Sequence, residues 1–194
     1  MLGCLVLEGA LVARTHLLEN ARATELLGPG DVIWPWMQNP GDATFSTAVD
    51  WSILVESEVA ILGPLFMRRA APWPQIFSAL MTRLALRARG LDVLLALRQV
   101  RGIEHRILVL LWSLADRFGK VTAEGVRLEV PLTHQLLADL VGARRPTVTT
   151  ALSQLRTRAL LRVLPGERGW VLTGLPPLEA LATGGLRTPL RAGA

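Results

Sequence analysis

LTHQLLADLVGARRPTVTTALSQLRTRALL, residues 132–161, is the stretch whose residue order predicts a specific fold. Apolar residues recur at helical spacing on both sides of Gly142, which predicts two helices joined by a sharp turn. Thr133 can cap the first helix, because a threonine oxygen accepts a hydrogen bond from the free amides of a first turn. Pro146 suits the first turn of the second helix, where its missing N–H costs nothing. With small Ala138 at the crossing, the stretch predicts a helix-turn-helix.

The second predicted helix starts near Arg144 and has a small, polar exposed side. Arginine can donate two hydrogen bonds to guanine, and threonine offers a methyl group and a hydroxyl to a base edge. This pattern favours binding in the major groove of DNA by Arg145, Thr147, Thr149 and Thr150. The alternative is two amphipathic helices packed tightly in an all-helical protein without any nucleic acid.

Charge is distributed unevenly along the chain, whose formal net charge is +5. Residues 1–73 carry four arginines against eight acidic residues, whereas residues 74–101 carry five arginines against one aspartate. Residues 102–174 carry ten basic groups against six acidic groups. The basic part therefore contains the candidate DNA-binding helices.

Several classes of function are disfavoured by what the chain contains. Cys4 is the only cysteine, which rules out an intramolecular disulfide and any metal or iron–sulfur site built from several cysteines. The three histidines lack metal-ligand spacing, so we expect no metal and no cofactor. No nucleophile with a neighbouring base and no phosphate-binding glycine loop is apparent, so we do not expect an enzyme. The apolar stretches are too short for a membrane span, and we expect a cytoplasmic protein.

Residues 1–73 are predicted to form a small antiparallel sandwich or barrel, because short apolar runs alternate with turn signals. Glu8-Gly9 and Gly63-Pro64 are two of these turn signals. The seven predicted strands are 4–7, 10–13, 23–27, 32–34, 44–49, 52–55 and 59–62.

Residues 74–101 are predicted to form one long helix with two apolar lines. The first line has the alternating spacing of a coiled-coil seam, which predicts a dimerisation helix; the alternative is a single buried core helix. Gly90 lies inside this helix, where glycine costs about 1 kcal/mol relative to alanine and marks a bend or a close approach. The seam consists of Phe77, Met81, Leu84, Ala88, Leu91 and Leu95, and the second line of Leu86, Val93, Leu97 and Val100.

Residues 102–174 are predicted to form the DNA-binding domain. A helix over 103–118 and a pair of strands around 121–130 precede the helix-turn-helix, and a hairpin of 160–164 with 170–173 follows it as a wing. Arg168 in the hairpin turn could reach a phosphate, although a solvated charge is the commoner outcome. The tail, residues 175–194, has little periodicity, which predicts partial disorder.

The order of these parts resembles the Crp/Fnr family of bacterial transcription regulators. The matching residues are 132–135, Ala138, 141–142, Arg145, 147–148 and Leu152 in the C-terminal part, and 7–9 and 27–32 in the N-terminal part. The resemblance implies an α+β protein with an N-terminal double-stranded β-helix or jelly roll, a dimerisation helix and a winged helix-turn-helix. We expect the opening strands of the family to be missing, with two alternatives: a start at Met1 that is too late, or a reduced N-terminal domain. Family members are dimers that bind palindromic DNA and contact RNA polymerase.

The resemblance also implies roles for particular residues. Arg145 would read a base, while Thr147, Thr133 and Gln135 would contact phosphates. The family often has Glu and Arg where this chain has Pro146 and Thr150, and proline has no side-chain acceptor for cytosine. We therefore do not expect this chain to read the best-known operator of the family.

The N-terminal part departs further from the cyclic-nucleotide-binding members of the family. Asp31 is followed by Val32 rather than by a Gly-Glu pair, and no Lys or Arg lies between Arg22 and Arg68. A buried phosphate needs a cation or a cluster of amides, so we expect no cyclic AMP binding. The candidate effector pocket is instead apolar, with the alternative that its side chains only fill a core. Its residues are Trp34, Trp36, Met37, Phe45 and Trp51.

The sequence therefore predicts a homodimeric, sequence-specific DNA-binding transcription regulator whose effector is unknown. The competing hypothesis is an interaction or adaptor protein that uses the same fold without binding DNA. The candidate DNA contacts are Thr133, Gln135, Arg144, Arg145, Thr147, Thr149, Thr150 and Arg168.

Overall fold

The structure is a computed structural model that describes residues 2–18, 21–36, 47–164, 169–174 and 176. Its described part contains eight strands and five helices, which give the expected α+β architecture. The elements are β1 (Cys4–Leu18), β2 (Ala21–Leu27), β3 (Val32–Ile33), β4 (Ala48–Ile61), α1 (Pro64–Ala70), α2 (Pro74–Leu97), α3 (Ile103–Phe118), β5 (Gly119–Thr122), β6 (Gly125–Leu128), α4 (His134–Val141), α5 (Arg145–Thr157), β7 (Leu161–Val163) and β8 (Trp170–Leu172).

The N-terminal sheet is built around the long strand β1. Strand β4 pairs antiparallel with β1 along one edge, and β2 and then β3 pair with it along the other edge. The described N-terminal strands thus form one four-stranded sheet. It has fewer strands than predicted, because the predicted strands 4–7 and 10–13 are both part of β1, and the predicted strands 52–55 and 59–62 are both part of β4. Residues 44–46 of the run 44–49 lie outside the described part.

The turn predicted at Glu8-Gly9 is a β-bulge instead. The register between β1 and β4 shifts on both sides of Glu8, and Gly9 has a φ of +87°. A Cβ at Gly9 would lie 2.2 Å from the Glu56 carbonyl oxygen. Glycine thus allows the strand to pass its partner closely and continue, so the dipeptide does not end the strand.

The two long helices agree closely with those predicted from the sequence. Helix α2 is continuous from Pro74, and α3 has the predicted bounds Ile103–Phe118. Helix α2 ends at Leu97, earlier than predicted, and the Gly63-Pro64 signal begins the unpredicted short helix α1, with proline in its first turn. In the described part of the chain, no helix is both long and apolar enough to cross a membrane.

The C-terminal part is a winged helix in which α3, α4 and α5 pack beside an antiparallel sheet of order β5-β6-β8-β7. Strands β7 and β8 form the predicted wing hairpin, with Val163 opposite Trp170. The turn of the wing, residues 165–168, lies outside the described residues, and so does the predicted phosphate contact Arg168.

The largest apolar cluster runs from the N-terminal sheet into the winged helix. Ala10, Val12 and Leu26 of the sheet are buried in the same cluster as Leu110 of α3 and Leu140 of α4. Complete burial of a leucine stabilises a fold by roughly 1.5–3 kcal/mol. The sheet is therefore held against the helices by apolar packing, across the boundaries predicted between residues 1–73 and 102–174.

Candidate nucleic-acid interface

The helix-turn-helix has the geometry that its local signals predict. Thr133 Oγ1 accepts a hydrogen bond from the Leu136 amide at 3.1 Å, which caps α4. Gly142 ends the helix in the left-handed conformation, with φ 66° and ψ 46°. Ala138 is fully buried, and its carbonyl accepts the Ala143 amide at 2.9 Å. The two helices are thus fixed at a sharp turn.

The N-terminal end of α5 is open to an anion. Arg144 precedes the helix with an extended backbone, and no side chain caps the first turn. As in any first helical turn, the amides of Arg145 and Thr147 have no acceptor inside the helix, and Pro146 between them has no N–H. Arg144, Arg145 and Thr147 are all exposed. Because the helix dipole is positive here, a DNA phosphate would be stabilised at this end.

The starts of α4 and α5 lie side by side. Thr133, His134, Gln135 and Arg145 line one open groove at the surface. The structure therefore brings together three residues that the family resemblance assigned to DNA, two from the first helix and one from the second.

The threonine hydroxyls on α5 are partly engaged within the helix. Thr149 Oγ1 donates to the Arg145 carbonyl at 3.1 Å, and Thr150 Oγ1 donates to the Pro146 carbonyl at 3.2 Å. Each hydroxyl has a single proton. Thr149 and Thr150 therefore offer a partner their methyl groups and an acceptor oxygen, rather than the free hydroxyl expected from sequence.

His134 is a residue of this interface that the sequence did not single out. Its Nδ1 lies 3.0 Å from Thr149 Oγ1 on α5, and its ring stacks on Trp170 of the wing with centroids 6.3 Å apart. Trp170 Nε1 in turn donates to the Leu132 carbonyl at 3.3 Å. His134 thus connects α4, α5 and the wing, and only the folded arrangement reveals this role.

Asp139 of α4 joins the helix-turn-helix to the N-terminal sheet. Its Oδ1 accepts a hydrogen bond from Arg22 Nη2 at 2.7 Å, and its Oδ2 lies 3.9 Å from Arg14 Nε. Gln135 Nε2 donates to the same carboxylate at 2.8 Å. The Asp139 side chain is only 6% exposed, so these partners compensate for the burial of its charge.

Arg106 of α3 stabilises the C-terminal end of α4. Its guanidinium donates to the carbonyls of Val141 at the end of α4 and Val100 after α2, each at 3.1 Å. The last carbonyls of a helix accept no hydrogen bond from an amide of that helix. A cation that binds them therefore stabilises the helix end.

The described residues of the predicted effector pocket do not form one cluster. Trp34 packs against a cluster around Val32 and Leu80, whereas Trp51 packs against a separate cluster around Val6 and Leu27. Trp36 is 46% exposed. Met37 and Phe45 lie outside the described residues. Trp34 and Trp51 therefore belong to two different parts of the core.

Charged side chains from the helices instead surround the turn at residues 28–31. Asp31 accepts the Gly28 amide at 2.8 Å and pairs with Arg117 of α3. Arg87 of α2 binds both carboxylate oxygens of Glu25 at 2.8 Å, and this hydrogen bonding raises the pKa of Arg87. The sequence showed no cation in this region, and the tertiary structure supplies cations from distant helices. In the described residues, no group of three or more His, Cys, Asp or Glu side chains could hold a metal ion.

The predicted seam of α2 is largely uncovered in the single chain. Met81, Leu91 and Leu95 are 53%, 40% and 62% exposed, respectively, and Ala88 is exposed as well. Leu84 is partly buried against the cluster around Val32. Phe77 is partly buried too.

Comparisons with known proteins agree with this architecture. Residues 105–181 match the family model of the Crp-like helix-turn-helix domain. Over 71 residues the chain is 36% identical to the regulatory protein CysR of Synechococcus elongatus, a match that covers 35% of this chain and 34% of CysR. The chain covers less than half the length of the curated relatives it matches.

Solved structures resemble the chain over nearly its whole length. TTHB099, a CRP-family transcriptional regulator from Thermus thermophilus, is 25% identical with a TM-score of 0.66, and the match covers 95% of this chain and 89% of that protein. FixK2 from Bradyrhizobium japonicum has the same fold, with 22% identity, a TM-score of 0.66 and coverage of 95% and 88%.

The fold and the interface together define a winged-helix protein with an N-terminal β domain. Residues 105–181 match the Crp-like helix-turn-helix domain, and the chain is similar in fold to transcription regulators of the Crp/Fnr family.

Proposed function

We propose that the chain binds specific DNA sequences as a homodimer and regulates transcription in the cytoplasm, without cyclic AMP as its effector. The observation that carries this proposal is the open, uncapped start of α5, where Arg144, Arg145 and Thr147 are exposed beside the groove of α4. A helix of this kind enters the major groove with its first residues on the base edges. Arg145 reads a base, and Thr133, Gln135 and Thr147 contact phosphates.

The exposed apolar seam of α2 supports the homodimer. Apolar side chains at Met81, Leu91 and Leu95 lie on one side of a helix of 24 residues. Pairing of two such helices would remove these side chains from water and place two copies of α5 on one DNA duplex. The DNA-bound dimer would then contact RNA polymerase.

The charge distribution supports an effector other than cyclic AMP. Asp31 is already bound by the Gly28 amide and by Arg117, and it is followed by Val32 rather than by a Gly-Glu pair. The turn that would hold a cyclic nucleotide in other members thus connects the sheet to α3 in this chain.

The test is selection from a pool of random duplexes, followed by affinity measurements on the best-bound duplex at two salt concentrations. Arg145→Ala should weaken binding to that duplex by about 1–3 kcal/mol and relax the preference for one base pair. Arg156→Ala is the matched control, because Arg156 is exposed in the last turn of the same helix. Cyclic AMP should leave both affinities unchanged.

Two results would contradict the proposal. If the wild-type chain selects no duplex over random DNA, an adaptor protein without DNA binding becomes the better interpretation. If Arg145→Ala and Arg156→Ala retain the same selectivity, α5 is not the helix that reads the sequence.

A further inference from the structure

A cleft of about 500 Å³ lies between the turn at residues 28–31, α2 and α3. We refer to it as the interdomain cleft, because its walls come from both the N-terminal sheet and the winged helix. Its volume falls within the range of about 300–1,000 Å³ that is usual for small-molecule sites. Leu86 and Val93 of α2 and Leu114 of α3 provide apolar walls.

The lining of the interdomain cleft contains more positive than negative side chains. Arg87 pairs with Glu25, and Arg117 pairs with Asp31. The remaining charged groups of the lining are Arg83, Arg89 and Asp116. Within the described residues none of these three has an ion pair or a side-chain hydrogen bond, so the lining carries an excess of positive charge. An anion would be attracted to this cleft.

Arg83 lies beside the turn at residues 28–31. Its Nη1 atom lies 2.6 Å from the place where a Cβ would stand on Gly30. The Arg83 guanidinium therefore lies directly over the turn, where Gly30 itself is required by its positive φ of 90°. A guanidinium has five N–H donors, and one that has no partner within the described residues is suited to a carboxylate or a phosphate.

Gly90 lines a part of the interdomain cleft that no described side chain fills. It belongs to the lining, and a Cβ built on it would meet no atom within 4 Å. The close approach expected from sequence does not explain this glycine, because among the described residues no atom outside the backbone of its own helix lies within 4 Å of that Cβ position. The space beside it is consistent with an occupant that a larger side chain would exclude.

The cleft and the seam of α2 lie on opposite sides of the helix. At 100° per residue, Leu86, Gly90 and Val93 point away from the side that carries Met81 and Leu95. An occupant of the cleft would therefore not compete with a partner chain on the seam.

We propose that the interdomain cleft binds a small organic anion, with its carboxylate or phosphate on Arg83 and Arg89 and its apolar body against Leu86 and Val93. Because its walls belong to both parts of the chain, the occupant changes how the winged helix is held against the sheet. Its role as the effector rests on the proposed DNA-binding function, whereas the binding itself does not.

The test uses the full chain and the fluorescent anion 8-anilinonaphthalene-1-sulfonate, with decanoate and decyl phosphate as competitors. The wild-type chain should bind one probe saturably, and the competitor that displaces it at lower concentration identifies the anionic group. Arg83→Gln combined with Arg89→Gln should weaken probe binding at least 10-fold. Arg68→Gln combined with Arg69→Gln, which removes the same charge from exposed positions of α1, should leave it unchanged.

Gly90→Leu should abolish probe binding by filling the cleft, and Gly90→Ala controls for folding of the helix. The proposal is overturned if the wild-type chain binds no probe saturably, if the two double variants behave alike, or if Gly90→Leu binds as the wild-type chain does. None of these measurements involves DNA, so a failure of DNA binding would be recognised separately.

Discussion

Arg22 Nη2 donates a hydrogen bond to Asp139 Oδ1 at 2.7 Å, which joins the N-terminal sheet to the first helix of the helix-turn-helix. The same carboxylate accepts the amide of Gln135, a proposed phosphate contact. Asp139 uses one of the two N–H donors of the Gln135 amide and so orients the other donor, which remains available to a phosphate. The docking of the sheet and the state of the DNA-binding surface are therefore connected through one buried side chain.

Asp139→Ala is expected to destabilise the chain by about 1–3 kcal/mol, because it removes the acceptor for Arg22 and Gln135 at a buried position. The measurement is the free energy of unfolding in urea. Asp92→Ala is the control, since Asp92 is exposed on α2 and has no partner within the described residues. Equal stabilities of the two variants would show that the contact with Asp139 does not hold the sheet.

Gly142→Ala is expected to lower the free energy of unfolding by roughly 1–2 kcal/mol, because alanine is strained in the left-handed conformation that ends α4. The reference is Gly63→Ala, where φ is −86° and a Cβ would meet only the Ile61 side chain at 3.8 Å. Urea unfolding compares the two. A loss as large for Gly63→Ala would contradict the explanation by backbone conformation.

Gly90→Ala is expected to stabilise the chain by about 1 kcal/mol, because alanine favours a helix interior and the added Cβ meets no neighbour. The substitution is chemically the same as Gly142→Ala and should have the opposite sign. Thermal and urea unfolding would both report it. A destabilised Gly90→Ala variant would contradict the open space found beside this glycine.

Met81→Glu combined with Leu95→Glu is expected to weaken self-association by at least about 100-fold, because each charge would be buried between paired helices. Leu86→Glu is the matched control: Leu86 is 56% exposed, close to the 53% and 62% of Met81 and Leu95, but lies on the other side of α2. Sedimentation equilibrium of the three chains measures the association. A wild-type monomer, or equal weakening by Leu86→Glu, would argue against the seam.

The helix-turn-helix could be predicted almost residue by residue because its signals are local. The Thr133 cap, the left-handed Gly142 and the first-turn Pro146 act on their own backbone, whatever surrounds them. The β domain was predicted less well for the opposite reason. Whether Glu8-Gly9 forms a turn or a bulge depends on Glu56, which lies on a strand nearly fifty residues later.

The effector region shows the same difference between local and distant information. Composition grouped five apolar residues into one candidate pocket, yet Trp34 and Trp51 pack in separate clusters. The cleft that the structure does contain is lined by Arg83 and Arg89. From the sequence, these two residues are recognisable only as members of the basic part of the chain. No sequence spacing places these arginines beside the turn at residues 28–31.

Residue order alone was enough to specify the winged helix-turn-helix, the long helix α2 and the basic, open start of α5, since helical periodicity and capping are properties of neighbouring residues. Three-dimensional packing was needed to establish that Asp139 binds Arg22, that His134 connects α5 to the wing, and that residues of α2 and α3 line a charged cleft. These contacts join residues far apart in the chain. Their formation depends on how the sheet packs on the helices, through apolar surfaces that carry little information about their partners.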